Sequence, residues 1–152
     1  MIINDPEPST FRETMMSDLN LKVRQPHDRA IIERPLDTLK PYARNAHTHS
    51  KQQLKQIASS IERFGFIDPV LIGDDDFIIA GHGRVEAAKL LGRKTVPTLE
   101  ISHLSHAERR AYILADNKLA LNAGWDNELL ALELQGLLDV DFDVELAGFS
   151  IT

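Results

Sequence analysis

The chain has 152 residues, is 43% hydrophobic and carries a net charge of −6, which suits one domain with its own core. It has no cysteine, which excludes disulfides, thiolate catalysis and cysteine-bound zinc. It also lacks an apolar run of about 18 residues that could span a membrane, and its first 16 residues lack the apolar core of a signal peptide. The expected compartment is therefore the cytoplasm, of a bacterial or phage-encoded system once the resemblance below is added.

The acidic balance argues against a protein that coats DNA with lysine and arginine over its whole surface. The charge is unevenly placed. Between residues 116 and 145 stand eight acids against Lys118 alone. Between residues 40 and 94 nine bases gather, Arg84 among them. An anion would meet the middle of the chain, and the acidic end reads as a solvated helical face.

Residues 1–29 are polar, proline-containing and without periodicity, which predicts a flexible arm. Residues 30–33 predict a short strand ended by Pro35. Leu36, Leu39 and Tyr42 then open the packed domain. A helix is predicted over 51–64. Ser50 and Gln53 have capping-box spacing, Leu54, Ile57, Ala58, Ile61 and Phe64 share a face, and Gly65 suits the C′ position. Residues 69–72 and 77–80 predict a hairpin whose Gly73-Asp74-Asp75-Asp76 segment is a turn, not a metal site.

A helix over 83–91 should turn Val85, Ala88 and Leu91 inward, with Ala87 and Leu90 beside them. Residues 95–101 predict a further strand, in which Pro97 argues for an edge or a strand end. Ser105 and Glu108 form a second capping box, opening a helix to about residue 121 that Gly124 breaks. Asp126 can cap a last helix running to about residue 138, with Trp125 and Leu130 at staple positions and an acidic, extended tail beyond.

The chemistry concentrates in Ile79-Ala80-Gly81-His82-Gly83-Arg84. A strand that runs through glycines into a helix start can turn backbone N–H groups toward an anion, and an arginine there suits phosphate. No Gly-x-Ser-x-Gly and no Gly-x-x-x-x-Gly-Lys-Ser/Thr occurs, so a nucleophile elbow and a P-loop are excluded. His47-Thr48-His49 has no partner motif and reads as an exposed loop before the Ser50 cap, not as a metal pair.

Three motifs stand in order: Gly65-Phe66-Ile67-Asp68-Pro69-Val70, Ala80-Gly81-His82-Gly83-Arg84 with Ala87-Ala88, and Asp116-Asn117. Together they resemble the ParB/sulfiredoxin-like superfamily over roughly residues 34–125. The resemblance implies an α+β fold, a small mixed β-sheet packed with helices and followed by C-terminal helices. It places the ParB-like domain at 30–125 and a C-terminal helix and acidic tail at 126–152. It implies a nucleotide pocket like that of ParB clamps, which hold cytidine triphosphate with magnesium. Carried over by position, Gly65, Phe66 and Pro69 wall the base. Gly81, His82, Gly83 and Arg84 form the phosphate turn. Asn117 stands with Asp116, the candidate Mg²⁺ ligand, and the nucleoside triphosphate would be CTP or ATP.

Two departures matter. His82 stands where the family has a glutamate, and Gly83 where it has its first arginine, so the acid tied to hydrolysis and one phosphate cation are missing. His82 also replaces the cysteine of sulfiredoxin, which excludes that activity. Free-serine kinases of the superfamily have a similar Gly-His-x-Arg turn, which keeps His82 as a catalytic candidate, either as general base or as phosphate donor. The segment from Ala115 to Asp126 and the closing Gly148-Phe149 are similar to domains found before phage- or prophage-type DNA methyltransferases. The expected function is a DNA-associated module that binds nucleotide or nucleic-acid phosphates and serves DNA modification or segregation. The alternatives are an enzyme of the same fold (nuclease, NTPase or small-molecule kinase) and a degenerate partner-docking domain. The expected partners are DNA and a nucleotide, with no membrane. A homodimer and a methyltransferase domain beyond the C-terminus are further arrangements the resemblance admits.

Overall fold

The computed structural model describes residues 29–45 and 47–150. The predicted flexible arm falls, but for its last residue, outside the described residues. Among the described residues four strands and four helices follow one another: β1 (Ile31–Pro35), α1 (Lys51–Phe64), β2 (Val70–Ile72), β3 (Ile78–Ala80), α2 (His82–Leu90), β4 (Thr95–Glu100), α3 (His106–Asn122) and α4 (Asn127–Asp139). Short 3₁₀ turns occupy Leu36–Thr38 and Val144–Ala147. No helix among the described residues is long and apolar enough to cross a membrane.

The sheet is mixed, in the order β1-β4-β2-β3, and the α+β architecture is the one expected. β4 pairs antiparallel with β1 and parallel with β2, while β2 and β3 form the predicted antiparallel hairpin. Pro97 is therefore not in an edge strand, contrary to expectation. β4 tolerates it because its pairing with β2 begins only at Thr98, so Pro97 faces a partner on the β1 side alone. Thr98 is buried at 1% exposure, and its hydroxyl donates to the Ile32 carbonyl at 2.7 Å.

α1 forms where its caps and apolar face require. The Ser50 hydroxyl accepts from Gln53 N–H at 3.1 Å, and the Gln53 side-chain oxygen Oε1 accepts from Ser50 N–H at 2.9 Å. Gly65, at φ +86°, ends the helix and donates its N–H to the Ile61 carbonyl at 2.8 Å. Ala58 and Ile61 pack on Ala87 of α2, whose small side chain lets the two helices approach closely. Val70, Ile72, Ile78, Val85, Ala88 and Val96 fill the space between α2 and the sheet. Leu90, expected beside this face, is instead 63% exposed, because at 3.6 residues per turn it stands about 160° around the helix from Ala88, while Leu91 turns in.

The aspartate segment is a turn, as predicted. Arg109 donates from Nη1 to the Asp75 carboxylate at 2.8 and 2.9 Å, and Arg34 reaches Asp76 at 3.4 Å. Burial works against an ionised Asp75, but Arg109 and the Phe77 N–H outweigh it and hold its pKa below the ordinary value.

The C-terminal tail is not extended. Phe142 stacks on Phe64 of α1 at 6.1 Å, and Val144 is 2% exposed, so these apolar groups fold the tail back over α1. Trp125, expected to staple onto Leu130, is 69% exposed and meets the Phe149 ring edge-on at 5.6 Å.

Candidate phosphate and nucleotide cleft

The site grows from the end of β3. Ala80 is the last buried strand residue, and Gly81 follows at φ +104° and ψ +23°, a left-handed conformation that side chains disfavour. This turn aims the chain into α2 at His82 without any side-chain cap, so the first N–H groups of the helix are left for another acceptor.

His82 Nε2 accepts the Tyr42 backbone N–H at 3.2 Å, which places the ring's proton on Nδ1. Burial and the neighbouring His49 push the His82 pKa below the ordinary imidazole value, and Glu86 opposes them only in part. Burial, then the adjacent His47, lowers His49 likewise. Both rings are therefore set toward the neutral form.

Arg84 folds back over Gly81, with guanidinium atoms 3.0–3.2 Å from where a Cβ at residue 81 would stand. Its Nη2 donates to the Pro69 carbonyl at 3.1 Å, and its Nη1 pairs with the Asp68 carboxylate at 3.1 Å. Arg84 Nε is buried without a hydrogen-bond partner, as are the Nε atoms of Arg34 and Arg109.

From α3 come Asp116 and Asn117. Asn117 donates from Nδ2 to the Ile113 carbonyl at 2.8 Å, which commits the nitrogen end of its amide to the helix backbone. Burial first, then the charge and hydrogen bond of Asp116, raise the Tyr112 pKa.

These segments meet in two adjoining clefts. The polar one, about 120 Å³, is lined by His49, Gly81, His82, Gly83, Asp116 and Asn117, with Arg84 at its border. The apolar one, about 460 Å³, is lined by Ile57, Ile61, Phe64, Gly65 and Phe66, again with Arg84. Pro69 lines neither and contributes its carbonyl to Arg84. Phe66 is half-buried, with the Arg93 guanidinium 5.5 Å over its ring.

Three features went unread in the sequence. His49 belongs to the polar cleft, not to an exposed loop. Asn45 and His47 line it too. Leu146, Ala147 and Gly148 of the folded-back tail wall the apolar cleft. The His-x-His spacing before the Ser50 cap was the one signal for the first; nothing local marks the last. Among the described residues no group of three His, Cys, Asp or Glu side chains is placed to hold a metal ion.

The ParB N-terminal domain family matches residues 20–118. The ParB-like nuclease domain-containing protein YnaK of Escherichia coli (strain K12) is 48% identical over 80 residues, which cover 53% of this chain and 92% of that protein. The C-terminally truncated chromosome-partitioning protein ParB from Caulobacter crescentus, complexed with CTP-gamma-S, superposes with a TM-score of 0.64 at 23% identity. That alignment covers 78% of this chain and 68% of the other. The same partitioning protein complexed to the centromeric parS site superposes with a TM-score of 0.50 at 21% identity, over 78% and 65%. The structural likenesses support the fold, and the sequence matches carry the family: this chain belongs to the ParB N-terminal domain family.

Proposed function

We propose that this domain binds a nucleotide across the two clefts and serves, as a DNA-associated module, in DNA segregation or modification. The observation that carries the reading is Arg84. It borders both the polar and the apolar cleft, so one ligand could lay its phosphates on one side and its base on the other. The apolar cleft, at about 460 Å³, already lies within the range of small-molecule sites, roughly 300–1,000 Å³, and the polar cleft of about 120 Å³ adds room for phosphates. The superposed Caulobacter ParB, complexed with CTP-gamma-S, supports a nucleoside triphosphate, CTP or ATP. The parS complex of that protein supports DNA as partner.

Mg²⁺ fits only as a companion of phosphate. Asp116 offers one carboxylate and Asn117 one amide oxygen, and Mg²⁺ held by so few protein ligands takes the rest from phosphates and water. In this arrangement the Gly81 turn and Arg84 hold phosphate, Gly65 and Phe66 wall the base, and His82 donates a hydrogen bond from Nδ1. A general-base role would require Nε2, which the Tyr42 N–H already occupies. Binding is thus favoured over hydrolysis.

The test is thermal shift with CTP, ATP, GTP and UTP, with and without Mg²⁺. A nucleotide at 100 times its Kd should add about 2.7 kcal/mol, a rise of about 5–10 °C for a domain of this size. No shift with any of them, alongside salt-dependent DNA retention, would replace the nucleotide site with a backbone-phosphate site.

A further inference from the structure

Position 83 carries no side chain, and His49 fills the space. A Cβ at Gly83 would lie 2.8 Å from His49 Nε2, 3.0 Å from Cε1 and 3.1 Å from Cδ2. The imidazole therefore lies directly against the first turn of α2, and a side chain at position 83 would have to push it aside. The ring is well anchored for a loop residue. Its backbone runs straight into Ser50, the capping-box residue of α1, and the His47 ring stands edge-on to it at 4.7 Å.

We propose that His49 is a ligand-contacting residue of the polar cleft, seated on Gly83 so that its imidazole gives a phosphate the hydrogen-bond donor that residue 83 lacks. This rests on the reading of the cleft as a phosphate site. The groups that share the space are His47 on the same loop, His82, Arg84 and Glu86 on α2, and Asp116 and Asn117 on α3. Arg84 already gives two donors to Asp68 and Pro69, so the cleft-lining imidazoles of His49 and His82 add side-chain donors to the uncapped N–H groups at the start of α2. Burial sets both rings toward the neutral form; His82, whose Nε2 accepts from Tyr42, donates from Nδ1, and a phosphate beside His49 favours that ring's proton-carrying form.

The experiment is calorimetric titration of the full chain with inorganic pyrophosphate, for the wild type, Arg84→Ala, His49→Ala, His49→Gln and Gly83→Ala. His49→Ala should weaken binding at least tenfold. His49→Gln should recover most of it, because its amide nitrogen reaches the Nε2 position as a donor. Gly83→Ala should weaken binding by displacing the ring, and should add nothing to His49→Ala. Melting temperature gives a second check: Gly83→Ala should lower it in the wild type but raise it beside His49→Ala, where alanine is simply the better helix former. Wild-type affinity in His49→Ala, with loss in Arg84→Ala, would overturn the role of His49 and leave the cleft standing. Gly83→Ala lowering the melting temperature in both backgrounds would overturn its seat on Gly83. No binding of pyrophosphate by the wild type would overturn the phosphate reading and His49's part in it together.

Discussion

Arg84 and Asp68 form an ion pair at 3.1 Å in which the carboxylate occupies a guanidinium edge that a phosphate would otherwise take. Asp68 is 74% exposed and Arg84 27%, so the pair is a weak internal competitor. Such exposed pairs are worth about 0–1 kcal/mol. Asp68→Asn should therefore tighten nucleotide or pyrophosphate binding by about two- to fivefold, with the gain shrinking as salt rises. Calorimetry at two ionic strengths checks it; unchanged affinity at low salt would show that Asp68 does not compete.

Arg84→Ala removes a charged donor from both clefts and should weaken nucleotide binding by about 1.5–3 kcal/mol, roughly 10- to 100-fold. Arg84→Lys should recover little, since a point charge cannot serve Pro69 and an anion at once. Circular dichroism should show both variants folded.

The neutral histidines predict a pH dependence. In the unfolded chain these imidazoles take up protons as the pH falls through about 6.5. In the folded chain His49 and His82 do so only at lower pH. Their contribution is thus fully present above the unfolded value and is lost as the pH falls below it, until the folded rings titrate too. Melting temperature should drop between pH 7.5 and 5.5, and the drop should be smaller in His82→Gln. An equally steep fall in that variant would assign the acid sensitivity to other groups.

Gly81 is constrained twice, by its positive φ and by the guanidinium above it. Gly81→Ala should cost about 1–2 kcal/mol of stability from the backbone alone, and should also displace Arg84 and weaken pyrophosphate binding. Denaturant unfolding and calorimetry together separate the two losses.

Phe142→Ala removes the stack on Phe64 and the Arg63 contact 5.4 Å from its ring. The aromatic pair is worth about 0.5–1.5 kcal/mol, which should appear as a small fall in melting temperature. Because Leu146, Ala147 and Gly148 wall the apolar cleft, CTP affinity should fall with it. Intact affinity would mean that the tail's wall is not used.

What was legible in the sequence was local. The Ser50–Gln53 and Ser105–Glu108 capping boxes, the Asp126 cap and the Gly65 stop each carry their own hydrogen-bonding logic, and the helices start and end within a residue or two of it. The Gly81 turn was legible because a strand, a glycine and an arginine adjoin. What failed depended on distant partners. Pro97 was misplaced because its β1 partner, Glu33, lies 64 positions away in the chain. The tail was misread because the ring that Phe142 packs on, Phe64, lies far upstream in the chain. His49 was passed over because the glycine that makes room for it is 34 positions away in the chain, and no spacing rule joins the two.

The placement of β4 bears on how the domain can be moved or shortened. β4 is flanked by β1 from the start of the domain and by β2 from its middle. β1 closes onto β4 across a long loop of chain, the slow kind of pairing. A fragment beginning after Pro35 would keep every residue of both clefts and still turn β4, an inner strand, into an open edge. Such an edge pairs with whatever strand it meets. Any transplant of this domain therefore has to carry β1 with it, as a cover for the sheet, though it contributes nothing to the clefts.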